Sequence, residues 1–123
     1  MTEQNRVVEV VQKYLDGVAQ DNPELMISAF HPEAVMTGHF NGVFSVIPNA
    51  GQFIASYMES TPPIAETSPN LTSSIDSVEA VGTMARVAVS ENGLEGANFT
   101  TYFTLHEVDG NWIIAAKATY AAA

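Results

Sequence analysis

Val7, Val8, Val11, Tyr14, Leu15 and Val18 fall on one face of a helix, and Glu9, Gln12, Lys13 and Asp16 fall elsewhere. The spacing predicts a helix over 3–20, with Thr2 as its cap and Glu3 at the positive end of its dipole. Asn22 and Pro23 supply the cap and first residue of a second helix running to about Phe30. Pro32 ends it by disfavouring helical backbone at the preceding residue. The stretch AVMTGHF, 34–40, reads as a strand, Asn41-Gly42 as a turn, and 49–59 as a third helix burying Phe53, Ile54, Tyr57 and Met58. Residues 60–70 hold three prolines without periodicity and read as a loop, a candidate lid over a cavity.

From there the period shortens to two. Residues 71–80 form a weak strand, and in 83–91 Ala85, Val87 and Val89 alternate with Met84, Arg86, Ala88 and Ser90. Asn92-Gly93 signals a hairpin turn. In 96–107, Phe99, Thr101, Phe103 and Leu105 take one face and Asn98, Thr100, Tyr102, Thr104 and His106 the other. Asp109-Gly110 turns the chain into a last strand, 111–120, where Trp112, Ile114, Ala116 and Tyr120 alternate with Ile113, Ala115 and Thr119. That strand is apolar on both faces, so the sheet needs two covers. The helices supply one, and a second copy of the chain supplies the other, which predicts a homodimer through the outer face.

The chain has 123 residues, 46% of them hydrophobic and 15% charged, enough to bury a core in one domain spanning 1–123. It has no cysteine, so disulfides and thiolate chemistry are excluded. A net charge of −10 argues against nucleic acid and anionic membranes. The N-terminal MTEQNR lacks the basic-then-apolar pattern of a signal peptide, and no apolar run approaches the ~20 residues of a bilayer span. A cytoplasmic protein is expected. His31, His39 and His106 show no metal-ligand spacing, so neither a metal nor a cofactor is expected. His31, read as the end of the second helix, suits capping of free carbonyls.

The stretch VVQKYLDGVAQDNPELMISAFHPEAVMTGHFNG resembles the opening of the nuclear transport factor 2-like superfamily, and GANFTTYFTLHEVDGNWIIAAKATY resembles its last hairpin. Within it, the chain is most similar to the lumazine-binding and SnoaL-like group. The resemblance implies an α+β, cystatin-like cone: three N-terminal helices packed on a strongly curved antiparallel sheet that encloses a pocket.

In the superfamily's ketosteroid isomerases, a tyrosine on the first helix donates to an oxyanion, and Tyr14 stands at the matching place. Gly38 falls where the isomerase has its aspartate base, and Thr101 near its second, protonated aspartate. That mechanism therefore lacks two of its groups here. The likeness to polyketide cyclases and dehydratases offers His39 as a base in its stead, with Tyr14 as donor; the plain alternative is a turn histidine. Tyr14 is either core or a pocket donor. The same alignment puts Ala115 and Lys117 on the pocket side. Lys117 then holds an anionic ligand or pairs with a carboxylate such as Asp76, unless its amine reaches solvent at the rim. Asp76 and Glu79 on their weak strand carry no role by themselves. Phe30, Met36, Phe53, Tyr57, Phe99 and Phe103 are expected both in the core and along the cavity wall.

The function expected is binding of a small apolar or aromatic molecule, of pterin or lumazine type. A cyclase-, isomerase- or dehydratase-like enzyme and a dimeric association module are the alternatives.

Overall fold

The computed structural model describes residues 2–122; positions 1 and 123, the ends of the expected domain, lie outside them. Helix α1 spans Glu3–Ala19, α2 Pro23–Ile27, α3 Ala50–Ser60 and the short α4 Ile64–Thr67. The strands are β1 Phe30–Phe40, β2 Val43–Ile47, β3 Thr72–Val81, β4 Met84–Leu94, β5 Ala97–Val108 and β6 Asn111–Ala122. They form one curved six-stranded sheet in the order β2-β1-β6-β5-β4-β3. Every pairing is antiparallel except β1 with β6, which is parallel and joins the N-terminal strand to the last one.

The helices lie in the sheet's concavity. Thr2 accepts a hydrogen bond from the Asn5 N–H, and Asn22 from the Leu25 N–H, so both predicted caps form. Val7, Val11, Tyr14, Leu15 and Val18 of α1 are buried against the inner sheet residues Ala85, Val87, Val89, Phe103, Leu105 and Ile114. Gly17 is required by close packing: a Cβ there would stand 2.5 Å from the Met26 nitrogen and 2.6 Å from its Cα. At the other end of α1, Glu3 accepts from the Trp112 indole at 2.7 Å, and Arg6 donates to the Gly110 carbonyl at 2.6 Å. These contacts tie the helix start to the β5–β6 turn.

Four expectations are corrected. Helix α2 stops at Ile27, not near Phe30, because the Ala29 carbonyl is taken by the Ile114 N–H at 2.9 Å and Phe30 already pairs with Ile114. His31 therefore caps no helix: it lies in β1, and its Nδ1 accepts the Glu33 N–H at 3.0 Å across Pro32. The register shift between Phe30 and Val35 accommodates that proline, which has no N–H to give a ladder. Asn92-Gly93 is a bulge and not the turn, since β4 continues to Leu94 and the chain reverses at Glu95-Gly96, with φ of 51° and 81°. Finally, the alternation expected along β6 breaks at Ala115, where β5 and β6 slip register between Thr104 and Leu105. The extra residue places Lys117 with Ile114 on the buried side and turns Tyr120, 65% exposed, outward.

Candidate functional site

Between α1, α3, the 61–64 segment and the inner sheet lies a cavity of about 670 Å³. Its walls are mostly apolar: Val18, Met36, Phe40, Ile47, Phe53, Ile54, Met58, Ile64, Leu94 and Phe99. That size falls in the range of about 300–1,000 Å³ in which proteins hold small molecules. A second depression of about 480 Å³ lies outside the cone, beside Arg6, Lys13, His31 and Trp112. Its arginine is already committed to Glu3, Glu107 and the Gly110 carbonyl.

Two buried polar groups, Tyr14 and Lys117, border the cone cavity, and a third, Glu91, lies near enough for its charge to act on both. Tyr14 is 2% exposed, its ring packed edge-on against Phe30 and Phe103 at 5.6 and 5.2 Å between centroids. The Lys117 Nζ stands 5.2 Å from the centre of the Tyr14 ring, within reach of its π face. Glu91, 2% exposed, continues the inward row of Ala85, Val87 and Val89 on β4. Among the described residues, none of these three side chains makes a hydrogen bond or ion pair to another protein group. None of their polar atoms is sealed off completely either, and Tyr14 and Lys117 border the open space of the cavity.

Burial dominates their ionisation. It pushes the Tyr14 phenol well above its usual range, and the Glu91 charge adds to the rise. It lifts the Glu91 carboxyl above its ordinary value, with the Lys117 charge opposing. It lowers the Lys117 ammonium, with the Glu91 charge opposing in turn. Desolvation thus favours the neutral form of each group.

The remaining residues singled out from the sequence separate by position. Met36, His39, Phe53, Tyr57 and Phe99 border the cavity with Tyr14 and Lys117. Phe30 and Phe103 pack behind Tyr14 instead of facing the opening, because they support its ring. Thr101 lies under the floor, 1% exposed, its hydroxyl 2.9 Å from that of Thr119. Gly38 is needed by close approach, since a Cβ would stand 2.7 Å from the Thr119 carbonyl oxygen and 3.0 Å from the Phe40 ring. Ala115 is the bulged residue and does not border the cavity.

His39 is exposed at the rim. Strand alternation sets it opposite Met36, Gly38 and Phe40, and its ring lies 5.5 Å from that of Phe44. Asp76 is exposed and accepts from Ser74 at 2.8 Å and Ser90 at 2.5 Å, bonds that hold its carboxyl below the usual range. Glu79 pairs with Arg86 at 2.8 Å. Neither carboxylate reaches Lys117; the one whose charge it feels is Glu91. The Ala85-Val87-Val89-Glu91 spacing, inside the expected strand 83–91, carries that signal.

The cavity is open at its mouth, where Phe53 and Tyr57, expected to be buried by the third helix, are 46% and 47% exposed because α3 turns them to the opening. The Tyr57 hydroxyl donates to the Glu95 carboxylate at 2.9 Å, which lifts the phenol above its ordinary range. The Glu95 N–H donates to the Ser68 hydroxyl at 2.8 Å, and the Asp21 carboxylate accepts the Ile64 N–H at 2.7 Å. The proline-rich segment is thus not all loop: it carries α4, held by these bonds, and Thr61 and Ile64 of it border the cavity. Among the described residues no three His, Asp or Glu side chains gather as a metal site, and no helix is long and apolar enough to cross a membrane.

An NTF2-like protein of unknown function from Shewanella baltica OS155 superposes with a TM-score of 0.85 at 24% identity, covering 98% of this chain and 94% of its own. A ketosteroid isomerase-like protein from Erwinia carotovora atroseptica SCRI1043 gives 0.74 at 16% identity, covering 98% and 97%. A cystatin-like fold protein from Burkholderia xenovorans LB400 gives 0.73 at 18%, covering 97% and 91%. No curated protein matches the chain. The fold is the α+β, cystatin-like cone shared by these structures. Residues 2–120 match the family described as "Putative lumazine-binding", and the chain belongs to that NTF2-like family.

Proposed function

We propose that the protein binds a small, flat, largely apolar molecule in the cone, its carbonyl edge turned toward the Lys117 amine and the Tyr14 hydroxyl. One observation carries this reading: two buried donors without protein partners border a cavity whose other walls are mainly aromatic and aliphatic. Groups buried in this way normally find partners within the protein, so a bound molecule is the natural source. A flat heteroaromatic bicycle bearing carbonyls, of the lumazine type named by the family description, fits both the chemistry and the walls.

Titration with lumazine and with quinoxaline, a bicycle of similar shape without carbonyls, tests the proposal. Lumazine should bind and raise the melting temperature by mass action, and quinoxaline should bind several-fold more weakly. Failure of lumazine to move the melting temperature at millimolar concentration, or equal binding of quinoxaline, would contradict it. Acid–base turnover by His39 with Tyr14 is the competing reading and requires that His39→Ala abolish a measurable reaction.

The outer face of the sheet, where Met84, Tyr102 and Tyr120 are exposed, is assigned in the same reading to a second copy of the chain. A twofold axis lets one apolar patch cover itself, which removes the exposed rings from water.

A further inference from the structure

We propose that Lys117 is a nucleophile that condenses reversibly with the carbonyl carbon of an aromatic aldehyde held in the cone. This rests on the ligand-binding reading above and adds a covalent step to it.

Lysines in folded proteins usually run an aliphatic stem along the surface and keep the amine in water, or pair it with a carboxylate. Lys117 does neither. The residue is 9% exposed and borders the cavity, its Nζ lies over the Tyr14 ring, and no hydrogen bond or ion pair holds it among the described residues. The β-bulge at Ala115 is what turns it inward, so the buried amine is built into the register of the sheet. Its register neighbours Met36 and Phe103 and the Tyr14 ring supply an apolar setting.

Two observations decide against an anion as the intended guest. The carboxyl beside the amine, Glu91, offers an anion no second positive charge, and the chain carries a net charge of −10. Burial lowers the Lys117 ammonium toward the free amine, which is the nucleophilic form. Burial also raises Glu91 toward the carboxylic acid, the form able to give a proton. Tyr14 and Glu91 are the titratable groups that face the amine, and the Glu95–Tyr57 pair and His39 border the outer part of the cavity.

The step balances without an oxidant or reductant. The Nζ lone pair forms the C–N bond as the carbonyl π pair moves to oxygen, and a proton passes from nitrogen to that oxygen to give a carbinolamine. Glu91, whose charge reaches the amine, protonates the hydroxyl through intervening water. The C–O bond breaks, water leaves and the C=N bond forms, and the nitrogen's remaining proton returns to the carboxylate. Imine and one water are the products.

Lys13 and Lys117 are the only lysines, so the chain carries its own reference. The full chain is incubated at pH 7 with 2-naphthaldehyde and cyanoborohydride, which reduces the imine to a stable amine, and the sites are mapped by peptide mass. Lys117 should be labelled about tenfold faster than Lys13, and Glu91→Gln should slow Lys117 alone. Lys117→Arg, which keeps a cation, should lose this label and leave that on Lys13 unchanged. Should that variant fail to fold, the Lys117-to-Lys13 ratio in the unaltered chain still decides. Lumazine binding is measured in parallel. If lumazine binds and Lys117 is labelled no faster than Lys13, the imine proposal alone is overturned; if lumazine also fails to bind, the cavity reading falls with it.

Discussion

Tyr14→Phe separates a structural hydroxyl from one kept for a ligand. The substitution preserves the ring and its edge-on contacts with Phe30 and Phe103 at 5.6 and 5.2 Å, so packing is nearly unchanged. What disappears is an oxygen on a side chain only 2% exposed that bonds to no protein group among the described residues. Deleting a hydroxyl that is hydrogen-bonded within the protein costs about 0.5–1.5 kcal/mol of stability. Deleting one whose only partner is cavity water loses none of that and removes part of the desolvation cost of a buried polar group. The expected change is therefore between zero and a gain of about 1 kcal/mol, or up to about 4 °C in melting temperature for a chain of this size.

Affinity should move the other way. One lost net hydrogen bond of about 1 kcal/mol weakens lumazine binding roughly fivefold. Urea unfolding monitored by Trp112 fluorescence, with a check that the denaturant slope is unchanged, gives the first quantity, and calorimetric titration gives the second. A variant less stable by about 1 kcal/mol with undiminished lumazine affinity would refute the reasoning, because the hydroxyl would then belong to the core.

Further expectations concern charge, packing and assembly. Glu91 titrates above 4.5 in the folded chain, so the folded state binds the extra proton and the stability Glu91 contributes is lost as pH rises through its folded-state value. Glu91→Gln should therefore be more stable than the parent at pH 7, with the difference vanishing on acidification; a difference that does not change with pH would count against a raised carboxyl. Lys117 titrates below 10.5, which reverses the sign: stability is gained as pH climbs from its lowered value toward 10.5, and Lys117→Met should lack that alkaline gain in a pH series of melting curves. Gly17→Ala forces a methyl to within 2.5–2.7 Å of Met26 backbone and side-chain atoms. The clash should outweigh the ~1 kcal/mol gain in helix propensity and leave a net loss of about 2 kcal/mol in urea unfolding; equal or higher stability would mean that α1 and α2 can separate freely. Tyr102→Lys, at a side chain 62% exposed on the outer face, should convert a dimer to a monomer in sedimentation without loss of lumazine binding, and a parent already monomeric at micromolar concentration would remove the dimer.

Much of the fold is legible in local pattern. The α1 stripe, the caps at Thr2 and Asn22, and the turns at Asn41-Gly42 and Asp109-Gly110 all appear where spacing and turn chemistry put them. What the pattern hides are the places where one strand must fit another. Ala115 looks like any apolar strand residue, yet the bulge there reverses the faces of everything after it, including Lys117 and Tyr120. Asn92-Gly93 has the chemistry of a turn and serves as a bulge because partner residues on β5 extend the pairing to Leu94. His31 looks like a helix end because Pro32 follows it, whereas the carbonyl of Ala29 is claimed by β6 from far along the chain. These are tertiary effects, and a single strand's periodicity contains no trace of them. The candidate site shows the same division: Tyr14 is visible on its helix face, and Glu91 ends the expected strand 83–91 in step with Ala85, Val87 and Val89, but nothing in that spacing shows that its charge reaches Lys117 from two strands away.

The methionine methyl groups offer the most direct test of a ligand in the cone. Met36 and Met58 border the cavity, Met26 is buried under α1, and Met84 is exposed on the outer sheet face. With 13C-methyl-methionine incorporated, lumazine titration should shift the Met36 and Met58 resonances together and saturably, leaving Met26 and Met84 in place. Shifts confined to Met84, or no shift at any of the four at millimolar lumazine, would contradict the account.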